Sequence, residues 1–239
     1  MTLDEILAGL FPNAGDIDVT GAAIAGRATL PGAGPVHVLG ITQGQPLGVD
    51  EAIALAGRVI EIVRTGDRAP ILFLVDSASQ RMSRRDELLG LSEYLSHLAK
   101  ALLLAEAKGH RTVGLLYGGS AAGAFIATAL ATGTLVALPG AHPAVMDLPS
   151  MARVTKLPID VLKAKAEATP VFAPGLDNIV QTGGIHVVWD EHAPLASQLA
   201  AILERPPGLD ERSRLGAERG GRRKAAEIAD RVVTLAAAS

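Results

Sequence analysis

The apolar positions of this chain change period along its length. Residues 71–75 form a continuous apolar run, which predicts a strand buried on both faces. Residues 111–117 carry Val113, Leu115 and Leu116 and predict a second short buried strand. Between them Leu88, Leu91, Leu95, Leu98, Leu102 and Ala105 fall on one side of a helix predicted over 86–108. Upstream, Ile53, Ala56, Val59, Ile60 and Val63 recur at steps of three and four, giving a helix over 49–64. A short helix is predicted over 3–10, and a hairpin from strands 22–30 and 36–41 around a Pro/Gly turn. Residues 44–48 and 76–85 are predicted loops. Downstream come short strands at 135–138, 144–146 and 185–188. Helices are expected at 157–166 and 194–203, a short turn or helix at 175–182, and one long charged helix over 210–235. Strands alternating with helices predict an α/β fold with parallel strands and crossover helices.

Composition narrows the function classes. The chain has 239 residues, 49% hydrophobic and 20% charged, which suits a globular domain over 1–205 followed by a helical extension over 206–239. A net charge of −3 and 3% aromatic residues argue against nucleic acid as a partner. There is no cysteine, so thiol nucleophiles and thiolate metal sites are excluded. No basic, apolar leader and no membrane-length apolar run is visible, and a cytoplasmic location with no membrane partner is the expectation.

Residues 117–125 read Tyr-Gly-Gly-Ser-Ala-Ala-Gly-Ala-Phe, between a strand pattern and an Ala-rich helical pattern over 121–131. Backbone N–H groups of Gly118, Gly119 and Ser120 are expected to stand unpaired at the helix start, where two glycines leave room for a negative oxygen. The second candidate loop, Asp76-Ser77-Ala78-Ser79-Gln80-Arg81-Met82, follows the strand at 71–75. If the two strands are neighbours, donors from both loops could converge on one oxygen as an oxyanion hole, each donor contributing roughly 3–4 kcal/mol. Ser120 fails the Gly-x-Ser-x-Gly elbow, because Ala122 takes the last glycine position; helix N-cap and hole donor are its predicted roles. Glycine pairs at strand–helix turns also serve packing alone. None of the six histidines sits in a suggestive motif, and His186 and His192 read as surface residues rather than metal ligands. Arg81, Arg84 and Arg85 are either a solvated loop or a patch for an acidic partner.

With these loops in register, the chain resembles the crotonase-superfamily carboxyltransferases, and among them the gamma subunit of biotin-independent malonate decarboxylase. The resemblance spans roughly residues 20–205. It rests on 71–82, on Glu87-Leu88-Leu89-Gly90-Leu91, on Tyr117-Gly118-Gly119-Ser120-Ala121-Ala122-Gly123, and on Leu138-Pro139-Gly140-Ala141-His142-Pro143-Ala144-Val145-Met146. It implies a crotonase-like ββα superhelix and a site shared with a homologous beta subunit. It also implies a malonyl thioester on an acyl carrier protein, carried by a phosphopantetheine-type group (phosphoribosyl-dephospho-CoA) that an acyl carrier transferase subunit would load. Gly118, Gly119 and Ser120 would then be catalytic. Ser77, Ala78, Ser79, Gln80 and Tyr117 would line the substrate, with Ala78 or Ser79 turning its N–H inward. Arg81, Arg84 and Arg85 would meet the carrier, and no metal is implied. Biotin-dependent relatives commonly carry Asp-Thr-Pro-Gly-Phe in the first loop, where this chain has Asp76-Ser77-Ala78-Ser79-Gln80; that departure argues against biotin. A biotin-dependent carboxyltransferase half and a non-catalytic partner of the beta subunit remain the alternatives.

Overall fold

The computed structural model describes residues 1–13, 15–168, 173–205 and 210–238. In chain order the elements are α1 (Leu3–Leu10), β1 (Asp16–Thr20), β2 (Ala23–Leu30), β3 (Gly34–Leu47), α2 (Val49–Thr65), β4 (Ile71–Gln80), α3 (Arg84–Leu89), α4 (Leu91–Ala107) and β5 (Thr112–Leu116). They continue with β6 (Gly119–Ala121), α5 (Ala122–Ala127), β7 (Thr134–Ala137), β8 (His142–Ala144), α6 (Leu148–Thr155), α7 (Ile159–Ala168), α8 (Leu176–Gln181), β9 (Val187–Val188), α9 (Leu195–Glu204), α10 (Arg212–Glu218) and α11 (Arg223–Ala237). A seven-stranded sheet runs β1-β2-β3-β4-β5-β7-β9, and β6 pairs with β8 in a small second sheet. The first two pairings are antiparallel, and those from β3 to β9 are parallel.

The alternation along β4 shows why its run is continuously apolar. Ile71, Phe73 and Val75 face a core made with α2, α4 and α5. Leu72 and Leu74 face a second core with α1, α9 and Trp189. Both faces are covered, as in a sheet flanked by crossover helices.

Several predicted elements need correction. β1 was not anticipated, and β3 runs on through the predicted loop at 44–48. β4 extends to Gln80, so most of the predicted polar loop at 76–85 is strand. The predicted helix 86–108 is two helices. Ser83 caps the first, its Oγ accepting from the Asp86 N–H at 3.1 Å, and Gly90, at φ 85°, separates it from the second. Leu88 lies on the wrong side of that break and is exposed. In α2 the buried face is Val49, Ala52, Leu55, Ala56, Val59 and Ile62, while Ile53 points outward. α6 was missed, and β8 covers 142–144 rather than 144–146. The predicted tail helix is α10 and α11, with Gly220 (φ 72°) in the corner between them. The boundary predicted at 205/206 touches residues 206–209, which lie outside the described residues. α10 itself is fastened to the body: the Arg219 guanidinium donates to the carbonyls of Val180, Ile185 and His186, each at 2.7 Å.

Candidate active site

β4 and β5 are adjacent and parallel, in register from Ile71↔Thr112 to Val75↔Leu116. That register places Asp76 beside Tyr117 and Gly118 at the carboxyl ends of the two strands, the usual position of a site in an α/β sheet. The predicted pairing of the two loops is therefore present, with contents that differ from the expectation.

The difference lies in Asp76. Its Oδ1 accepts the Gly119 N–H at 3.0 Å, and its Oδ2 accepts the Gly44 N–H at 3.2 Å. The Gly119 N–H is thus already bonded to a carboxylate, a correction to the expectation of three open donors. The Gly118 N–H has no hydrogen-bond partner among the described residues. The turn is not a helix start either: α5 begins at Ala122 with Ala121 as its N-cap. Gly119 to Ala121 instead form β6, in register with His142 to Ala144 of β8. The glycines are required for close approach. A Cβ on Gly118 would run into the Asp76 carboxylate, and one on Gly119 would lie 2.9 Å from both His142 Nε2 and the Ser77 carbonyl.

Ser120 is buried, and its Oγ is 2.9 Å from the buried Ser77 Oγ. The two hydroxyls satisfy each other, so Ser120 is neither N-cap nor an accessible nucleophile. Gln80 does the capping: its Oε1 accepts the Gly123 N–H of α5 at 2.8 Å. Ala78 is exposed and Ser79 half-buried, its Oγ donating to the Gln80 carbonyl at 3.0 Å. Ala122 has φ 49°, a left-handed conformation that costs a non-glycine residue about 1–2 kcal/mol. Strain of this kind gathers at functional turns.

Tyr117 donates its hydroxyl to Thr42 Oγ1 at 2.7 Å. Burial, reinforced by the nearby Asp76 charge and partly offset by the Thr42 bond, pushes the phenol up to about 12. Tyr117 is therefore a neutral donor at neutral pH.

The arginine patch divides. Arg81 donates to Glu51 Oε1 at 2.5 Å, and Glu51 in turn accepts the Gly48 N–H at 3.0 Å where α2 begins. Arg85 makes a two-pronged pair with Asp50 at 2.7 and 3.0 Å. Both tie the end of β4 and the start of α3 to α2. Arg84 is exposed and has no ion-pair partner among the described residues. Met82, Leu88, Leu89, Ile126, Val145 and Met146 are exposed apolar residues on the segments that follow these strand ends.

His186 is half-buried rather than on the surface. Its Nδ1 accepts the Leu135 N–H at 3.1 Å, and burial, then the Arg212 charge, push its pKa down. No group of three potential metal ligands occurs among the described residues. Sequence reasoning passed over Asp76 as a partner of the turn and His142 as its neighbour. The Gly140-Ala141-His142-Pro143 segment was visible, but only the β6–β8 pairing brings it to Gly119.

Solved structures of a Pseudomonas malonate decarboxylase are similar over nearly the whole chain. The hetero-tetramer in complex with coenzyme A is 27% identical with TM-score 0.77, covering 96% of this chain and 97% of that one. The MdcD-MdcE hetero-dimer is 27% identical with TM-score 0.74 and the same coverage. The transcarboxylase 12S structure shares the fold at 16% identity and TM-score 0.68, over 86% of this chain and 42% of that one. The curated malonyl-S-ACP:biotin-protein carboxyltransferase MADD of Malonomonas rubra is 27% identical over 196 residues, 74% of this chain and 67% of its own length. A family model described as malonate decarboxylase gamma subunit matches residues 42–236, a stretch that holds β4, the Gly118–Gly119 turn and β8 together. By that match the chain belongs to the malonate decarboxylase gamma subunit family.

Proposed function

We propose that this chain, with a homologous beta subunit, converts malonyl-S-acyl carrier protein to acetyl-S-acyl carrier protein and CO2. The observation that carries the reading is the Gly118 N–H, left without a partner in a glycine turn at the strand ends, in a chain of this family. Loss of CO2 from a malonyl thioester builds an enolate, so negative charge grows on the thioester oxygen. A fixed peptide donor there stabilises the transition state more than the ground state. Gly118 supplies the donor in this reading. Gly119 and Ser120 hold its geometry, through the Asp76 and Ser77 contacts. Ala78, Ser79, Gln80 and Tyr117 form the adjoining wall.

The exposed apolar residues beside the turn fit a partner that closes the pocket and excludes water. The beta subunit is that partner, as a Pseudomonas malonate decarboxylase forms an MdcD-MdcE hetero-dimer. A carrier protein bearing a phosphopantetheine-type arm (phosphoribosyl-dephospho-CoA), loaded by a transferase subunit, presents the substrate near Arg84 in the cytoplasm. Arg81 and Arg85 support that edge from their ion pairs with α2.

A biotin-dependent carboxyltransferase half is the second reading, favoured by the similarity to the Malonomonas rubra carboxyltransferase. CO2 release from malonyl-S-carrier, measured for the purified chain with and without the beta subunit, distinguishes the readings. The first reading expects activity only in the complex and no inhibition by avidin. Avidin-sensitive activity would favour the second reading. Activity of the beta subunit alone would make this chain a structural partner.

A further inference from the structure

The decarboxylation leaves an enolate that must gain a proton at carbon, and none of the residues assigned so far supplies one. We propose that His142 is that proton donor, an inference that rests on the decarboxylase reading. The β6–β8 ladder pairs Gly119 with His142, and the His142 N–H donates to the Gly118 carbonyl at 3.0 Å. The backbone of His142 is thereby fixed to the glycine turn. Its ring lies on the side of Gly119 that the missing side chain leaves open, since a Cβ there would stand 2.9 Å from Nε2 and 3.3 Å from Cδ2. The other ring nitrogen, Nδ1, is 3.3 Å from the Gly140 carbonyl. A carbonyl only accepts, so this contact assigns a proton to Nδ1. The reactive position is then Nε2. It has no hydrogen-bond partner among the described residues, and the side chain is exposed on this chain.

The bond between the α-carbon and the carboxylate breaks, CO2 leaves, and the electron pair forms the enolate, with its charge on the thioester oxygen. The Nε2–H of the imidazolium then passes its proton to the α-carbon, and the electrons return to rebuild the thioester carbonyl. The ring is left neutral with its Nδ1–H still on Gly140, and water restores the proton. One malonyl thioester and one proton give one acetyl thioester and one CO2. Gly119 has a second task in this scheme, because any side chain there would stand between ring and substrate.

The test uses the complex with the beta subunit and malonyl-S-carrier, comparing the native chain with His142→Gln and His142→Asn. Proton transfer by a positioned side chain is worth about 10²–10⁴-fold. Both variants are expected to assemble normally, to lose at least about 100-fold in kcat, and to recover part of it with added imidazole. Activity within about threefold of the native complex would overturn the proposal. So would a loss that imidazole leaves unchanged, or failure of both variants to assemble, either of which would assign the ring to the scaffold. A native complex that releases no CO2 would instead sink the decarboxylase reading itself.

Discussion

The Asp76 carboxylate holds two backbone N–H groups, Gly119 in the turn and Gly44 in β3. A sequence reading counts three glycine-region donors; the structure shows one held by a carboxylate and one open. Because Asp76 spans Gly44 and Gly119, it fixes the open donor by fixing its neighbours. Replacing Asp76 with Ala removes a charged acceptor from two N–H groups and should cost about 2 kcal/mol, measured by denaturant unfolding. Ala122 offers the converse. Its φ of 49° suits glycine, so Ala122→Gly should stabilise the chain by up to about 1 kcal/mol in the same assay. A destabilised variant would mean that the left-handed geometry is not strained here. None of this was readable in sequence. Asp76 looked like the first residue of a loop, and only the Val75↔Leu116 register shows what it meets.

At the scale of elements, the end of β4 and the starts of α2 and α3 form one polar node. The buried Asp86 carboxylate accepts the Val49 N–H at 2.8 Å and the Ser83 hydroxyl. The Ser83 bond, then the Val49 N–H, with Arg81 and Arg85 adding, hold its pKa below the usual carboxylate value. A lowered folded-state pKa contributes stability that is complete above the unfolded carboxylate pKa. That stability is lost as pH falls through the folded value. Thermal melts taken from neutral pH into the acid range should show this limb, and Asp86→Asn should flatten it; an unchanged limb would place the acid sensitivity elsewhere. The same node explains why the arginine cluster was ambiguous. Charge spacing alone did not reveal that Asp50 and Glu51 reach Arg85 and Arg81 across 35 and 30 residues. Continuous runs such as β4's core and the periodicity of α2 and α4 were legible, because burial on both faces and a 3.6-residue stripe leave direct traces. The break at Gly90 was not: leucines on both sides keep a helical period, whereas the left-handed φ of one glycine ends the helix.

The whole molecule carries its candidate site at the carboxyl ends of β4 and β5, in the middle of the sheet, and leaves apolar side chains around it uncovered. α6 buries no residue, and Val154 is exposed on it. α11 likewise leaves Ile228, Val232, Val233 and Leu235 outward. A chain built this way should be less soluble alone than with its beta subunit, and co-expression should raise the recovered soluble fraction. Equal recovery of the lone chain would argue that these faces have no partner. The fold class and family were legible in sequence because the two strand-end loops and the Pro139–Met146 segment are local. The division of the site between chains was implied only by the resemblance.

The decisive measurement is kcat for CO2 release from malonyl-S-carrier by the purified complex, native against Gly119→Val. The added side chain would press on His142 and the Ser77 carbonyl and displace the Gly118 donor. A Gly118 oxyanion donor predicts avidin-insensitive release by the native complex and a loss of about 100-fold or more in an assembled variant, the scale of removing one such donor. A variant complex that assembles and works at the native rate would contradict it.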